Sequence, residues 1–184
     1  MTGRRQTRLV LAGWASGLTA LLALLWLGGP VGGGVMFVKG TSMAPLLRPG
    51  QVLVLSRGAY RASDGAGPRR GDIVVFRRGA AGNEEYLVKR VIGLPGDRVR
   101  VDAGRVFVNG TPLDEPYVRD PDDYSYPTQG DPVRVPDGAY FVLGDNRPMS
   151  ADSHLGWFVP AGDVVGPAWP LPVVVPTLAA PPAP

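Results

Sequence analysis

Gly40-Thr41-Ser42-Met43-Ala44-Pro45 sets a serine among small residues, with a proline limiting what can follow. Such a turn can present a hydroxyl at a rim instead of burying it in a ladder. Taken alone, the hexapeptide suits an ordinary surface turn as well as a nucleophile. A second stretch is Tyr86-Leu87-Val88-Lys89-Arg90-Val91-Ile92. With the two-residue repeat of a strand, Lys89 shares its face with Leu87 and Val91, both apolar. Burial disfavours the charged amine and lowers its pKa, and a neutral amine can take a proton from serine. Arginine cannot lose its proton in a protein. Of the 19 basic residues only Lys39 and Lys89 are lysine, so a lysine here departs from the chain's own habit. The competing reading is an edge lysine that discourages sheet aggregation. The third stretch runs from Gly144 to His154 and is dense in turn formers. Asp145 and Asn146 can stabilise a sharp turn through their own backbone. Ser150 and Asp152 could hold the amine of a neighbouring lysine, although a rigid surface loop has the same composition.

Composition narrows the chemistry further. There is no cysteine, hence no disulfide, thiol nucleophile or thiolate metal site. A single histidine argues against zinc, and neither a metal nor another cofactor is expected. A net charge of +3 without aromatic-basic interleaving gives no reason to expect nucleic acid.

The elements that must position these groups are short. Arg4, Arg5 and Arg8 precede 30 residues, 9–38, without one charged side chain. Residues 9–29 are apolar and rich in helix formers, and about 20 helical residues span a bilayer. A cleaved signal peptide would have a shorter apolar core and a small-x-small end, which Trp26-Leu27-Gly28 does not supply. The arginines place residues 1–8 in the cytoplasm and everything after the span outside it. Residues 31–38 read as a core strand or as a surface leaning on the membrane. Strands are predicted over 51–56, 72–77, 85–93, 98–101, 105–108 and 139–143, with one or two more over 157–160 and 163–165. Asn109-Gly110 is a strong hairpin signal. Residues 111–132 read as a loop or flap. Residues 167–184 read as a Pro-rich, extended or disordered tail, with six prolines between Pro170 and Pro184. The expected fold is therefore mainly β: a transmembrane helix, then an all-β domain of antiparallel sheets over 31–166.

In their order behind the span, the motifs resemble those of bacterial type I signal peptidases. They are Ser42-Met43-x-Pro45, then Tyr86-x-x-Lys89-Arg90-Val91-Ile92-Gly93-x-Pro95-Gly96-Asp97, then Gly144-Asp145-Asn146-Arg147-x-x-Ser150-x-Asp152-Ser153. Arg70-Gly71-Asp72-Ile73-Val74-Val75-Phe76 also resembles that family's strand between serine and lysine. The resemblance implies a membrane-bound serine endopeptidase that cuts exported preproteins after a small-x-small sequence. Ser42 would be its nucleophile and Lys89 its general base. Ser150 would hydrogen-bond the lysine, and Asp145 and Asp152 would brace the turn. The oxyanion would be met in the Gly40-Thr41-Ser42 region, by the Ser42 amide and a second donor. Some members of that family supply a hydroxyl two residues before the nucleophile; Gly40 stands there in this chain, so that donor cannot be a side chain. A short inserted β region over 97–139 and a monomer at the plasma membrane are also expected.

Some positions depart from the family pattern. His154 stands where arginine is usual, and Pro148 and Met149 stand where polar residues are common. A Ser42–His154–Asp triad through Asp145 or Asp152 would leave Lys89 without a task. His154 is therefore expected to brace the loop, through Asp152 or a backbone carbonyl. Two other readings are a Ser-Lys autoprotease, which needs a DNA-binding segment where the span lies, and a non-catalytic membrane-anchored β domain. The latter would have no need of both Ser42 and Lys89.

Overall fold

A computed structural model describes residues 33–62, 67–120 and 123–174. The expected span over 9–29 lies outside these. Among the described residues no helix is long and apolar enough to cross a membrane.

Eleven strands form two antiparallel sheets. They are β1 (Gly33–Phe37), β2 (Gln51–Ser56), β3 (Ile73–Arg78), β4 (Glu85–Gly93), β5 (Arg98–Asp102), β6 (Arg105–Val108), β7 (Thr111–Pro112), β8 (Val133–Arg134), β9 (Ala139–Leu143), β10 (Val159–Pro160) and β11 (Val164–Val174). A single helical turn, α1 (Ala59–Ala62), interrupts the segment after β2. The larger sheet runs β1-β2-β11-β3-β4-β9-β10 and the smaller β7-β6-β5-β8. The smaller sheet is inserted between β4 and β9, within the region expected over 97–139.

Apolar side chains packed on one or both faces seat these strands. In β9 every residue is buried, because both faces are covered. Phe141 and Leu143 pack with Val99, Val101, Val106, Val108 and Val135 of the inserted region, while Tyr140 and Val142 pack with Val74, Phe76 and Val91. β4 divides in the same way: Leu87 and Val91 lean on that second cluster, Val88 on a third formed by Val38, Met43, Leu47, Leu53, Leu55, Val75 and Ala168. The hairpin signal also holds, since Asn109 and Gly110 adopt φ of 53° and 81° between β6 and β7. Both positive angles are what a two-residue turn matching the strand twist requires.

The C-terminal boundary expected at residue 166 does not hold. Residues 164–174 form one strand lying between β2 and β3, although Pro167, Pro170 and Pro172 lie within it. β11 pairs with β3 through Val164–Pro167 and with β2 from Ala168 onward. Each half thus has an edge-like side, and proline is tolerated at edges, where its missing N–H breaks no ladder bond. Thr111–Pro112, read as loop, likewise pairs with β6.

Gly93 ends β4 where the two sheets meet. A Cβ there would lie 2.7 Å from Val99, 2.9 Å from Val135 and 3.0 Å from Phe141. Gly93→Ala is expected to destabilise the domain by about 1–3 kcal/mol through overpacking, measured by denaturant unfolding.

Candidate active site

The segment from Lys39 to Gly50 is an excursion between β1 and β2, closed at its base by Val38 N–H to Gln51 O and Gly50 N–H to Val38 O. Met43 and Leu47 are buried in the core below it, and Leu47 N–H donates to Met43 O at 2.8 Å. These two plugs hold the turn down and leave Ser42, their neighbour, half-buried at the rim. Lys89 comes from β4 and is only 3% exposed. Its Nζ lies 2.6 Å from Ser42 Oγ. Burial pushes the amine below its ordinary pKa, against the opposing pull of the Asp152 and Asp145 carboxylates. A serine hydroxyl beside a desolvated amine is the arrangement a Ser-Lys hydrolase needs.

The loop after β9 frames this pair. Asn146 donates its backbone N–H to Ser42 O at 3.0 Å and its side-chain amide to Thr41 O at 3.1 Å. Asp145 is buried and receives Arg90 Nε and Nη2 at 2.8 and 2.7 Å. Arg90 also donates Nη1 to Gly71 O at 2.9 Å. Asp152 accepts Gly144 N–H at 2.9 Å and lies 2.6 Å from His154 Nδ1. Ser153 Oγ accepts the Val142 N–H at 3.0 Å and ties the loop to β9.

All the residues singled out from the sequence are therefore gathered here, with one change of contact. Ser150 does not bond Lys89: its hydroxyl is buried and, among the described residues, has no hydrogen-bond partner. It faces Gly144, where even a Cβ would overlap Ser150 Oγ and the Ser42 carbonyl oxygen. Among the described residues His154 hydrogen-bonds only to Asp152, as expected of a bracing donor. Sequence reasoning passed over Arg90, Arg147 and Ser153 as structural partners, and Glu115 and Tyr117 altogether. Arg90 had a signal in its place beside Lys89. Glu115 and Tyr117 had none, because they lie in an aperiodic stretch.

The chain belongs to the signal peptidase, peptidase S26 family, which matches residues 11–171. It is 44% identical over 146 residues, 75% of this chain, to "Probable signal peptidase I-2" of Synechocystis sp.. It is 40% identical over 145 residues to "Signal peptidase I" of Leptolyngbya laminosa. A third relative, "Signal peptidase I" of Bacillus caldolyticus, is 41% identical over 140 residues. The matches span 64%, 68% and 73% of those relatives' lengths.

Gly144→Ala must displace either Ser150 or the Ser42 carbonyl. It is expected to cut turnover about 100-fold, the scale of an ångström's misplacement of reacting groups. Gly144→Ala combined with Ser150→Gly should recover part of the loss in a peptide-cleavage assay.

Proposed function

We propose that this chain is a membrane-bound serine endopeptidase that removes signal peptides from exported preproteins. The observation that carries the reading is the 2.6 Å approach of a buried, charge-disfavouring lysine to a rim serine. Ser42 Oγ gives its proton to Lys89 Nζ and attacks the scissile carbonyl. The protonated amine then gives that proton to the leaving amine, and the acyl group stays on Ser42. Lys89 next takes a proton from water as its oxygen attacks the ester, and returns that proton to Ser42 Oγ as the acyl C–O bond breaks, releasing the acid and restoring both the serine and the neutral amine. The oxyanion is met by the Ser42 amide and a backbone amide near Gly40. Among the described residues, and apart from its own chain neighbours, no heavy atom lies within 4 Å of a Cβ built on Gly40, which leaves room for the substrate at that point. Asp145 and Asp152 brace the loop, and Ser150 packs beneath it.

A groove of about 650 Å³ ends at the pair and is lined by Met36, Val38, Met43, Leu47, Leu87 and Val88 among others. Two strand edges border it. β1 is the last strand of its sheet, and residues 85–89 of β4 pair with β3 on one side while β9 begins its pairing at Arg90. An extended substrate can add to such edges as a further strand. Its side chains then alternate, which places the two small residues of a small-x-small sequence on one face.

The domain is further proposed to stand outside the cytoplasm, held by residues 9–29. Val35 and Trp169 both lie opposite Val54 in the sheet, and are 50% and 54% exposed. With Phe37 and Leu171 they make an apolar face beside the point where residues 9–29 lead into β1, suited to resting on a bilayer.

Lys89→Arg and Ser42→Ala are both expected to abolish cleavage of a model preprotein, because arginine cannot deprotonate. Near-normal turnover in Lys89→Arg would remove the dyad. For the wild type, kcat/KM should rise with pH through the lowered lysine pKa, since protonated Lys89 cannot accept the serine proton. A rate independent of pH from 5 to 9 would exclude a titrating base.

The chain has no native cysteine, so a single Ala80→Cys in the exposed turn after β3 reports topology. It should react with a membrane-impermeant thiol reagent on intact spheroplasts. Labelling only after lysis would place the domain inside.

A further inference from the structure

Glu115 and Tyr117 lie just past β7, in the inserted region, yet their side chains reach back to the loop after β9. Arg147, 3% exposed, sets Nη2 and Nη1 2.6 and 3.3 Å from the two Glu115 oxygens. The same arginine donates its Nε–H to Gly144 O at 3.0 Å. Tyr117 donates its hydroxyl to Glu115 at 2.9 Å, and its ring lies 3.9 Å from the Arg90 guanidinium. Arg90 in turn holds Asp145 through two hydrogen bonds. The contacts close a circuit from Glu115 through Arg147, the Gly144-Asp145 backbone, Arg90 and Tyr117 back to Glu115.

The circuit touches the carriers of both reacting groups. Arg90 follows Lys89 directly in β4. Asn146, between Asp145 and Arg147, binds the backbone of Thr41 and Ser42. β1, which leads into the serine turn, and β4 are not neighbours in the sheet, so their strands do not set this separation by pairing. Buried two-pronged guanidinium–carboxylate pairs favour one geometry, and leaving either partner alone in the interior is costly.

We propose that Glu115 and Tyr117 are positioning residues for the dyad, locking the Gly144–Arg147 loop to β4 so that Ser42 Oγ and Lys89 Nζ keep their separation. This rests on the protease reading given above. The inserted region then has a task at the reaction centre, beyond covering one side of the core. A purely structural tie between the sheets would instead lower stability and leave the chemistry of the folded fraction unchanged.

The test uses the purified full chain in detergent. Glu115→Gln should lower kcat on a model preprotein by about 10- to 100-fold, with KM within about twofold. The acid limb of its kcat/KM profile should move to higher pH, because a loosened Lys89, still facing Asp145 and Asp152, is better solvated. Tyr117→Phe keeps the ring over Arg90 but loses the hydroxyl bond to Glu115, so it should fall between the wild type and Glu115→Gln, whereas Tyr117→Leu should resemble Glu115→Gln. Should Glu115→Gln fail to fold, Tyr117→Leu carries the comparison. Hydrogen exchange supplies an arm independent of cleavage. The Gly144 and Asn146 amides, held by Asp152 and Ser42, should exchange faster in the variant, while those of β5 and β6 should not. A variant with a lower Tm but wild-type kcat, pH profile and exchange at both amides overturns the proposal. A wild-type chain that cleaves no preprotein, with faster exchange in Glu115→Gln, would bring down the protease reading and leave the lock standing.

Discussion

The structure depends on keeping one amine dry. Lys89 lies between Leu87 and Val91 along its strand, and its burial outweighs the two carboxylates that favour its charged form. That desolvation costs stability. A lysine whose folded pKa is below its unfolded value binds more protons when unfolded, in the window between the two values. Stability therefore rises with pH across that window, and at neutral pH the fold carries the deficit. The three apolar clusters around β4 and β9 are where it is offset.

The carboxylates nearby explain why so many polar groups are buried together. An unpaired Asp145 would pull the amine toward its charged form. Arg90 covers both its oxygens, and Asp152 is occupied by the Gly144 amide and His154. Each acid can thus shape the loop while part of its field is spent on another partner. The same pairing makes the loop rigid, since buried donors and acceptors that lose a partner are costly to leave unmade. Gly144 shows how tight the assembly is: backbone from the serine turn and a side chain from its own loop both press on its Cα.

His154 is tied to one buried acid. Its backbone N–H and its ring both meet Asp152, the carboxylate that caps the short turn in which His154 lies. Among the described residues its hydrogen bonds go to Asp152 and none goes to Ser42. A role of this kind needs a donor at one place, and different side chains can supply it.

Local chemistry made much of this protein legible in its sequence. Period-two alternation located β2 and β4, and short apolar runs between turn residues located β6 and β9. Asn109-Gly110 announced its turn, since few residue pairs accept two positive φ angles. The scarcity of lysine pointed to Lys89, and turn-forming residues around Ser42 and Asp145 pointed to the loops beside it. Contacts between distant segments were decided only by the tertiary structure. β11 lies inside the sheet despite its prolines, because its two halves pair with different strands and no local rule sees that division. Ser150 packs against Gly144 and makes no hydrogen bond to Lys89, a contact that depends on how the loop folds back on itself. Glu115 and Tyr117 look like ordinary loop residues until the inserted region folds over Arg147 and Arg90. The interaction joins Glu115 and Arg147 across 32 positions of chain, and no pattern of neighbours along the sequence encodes it.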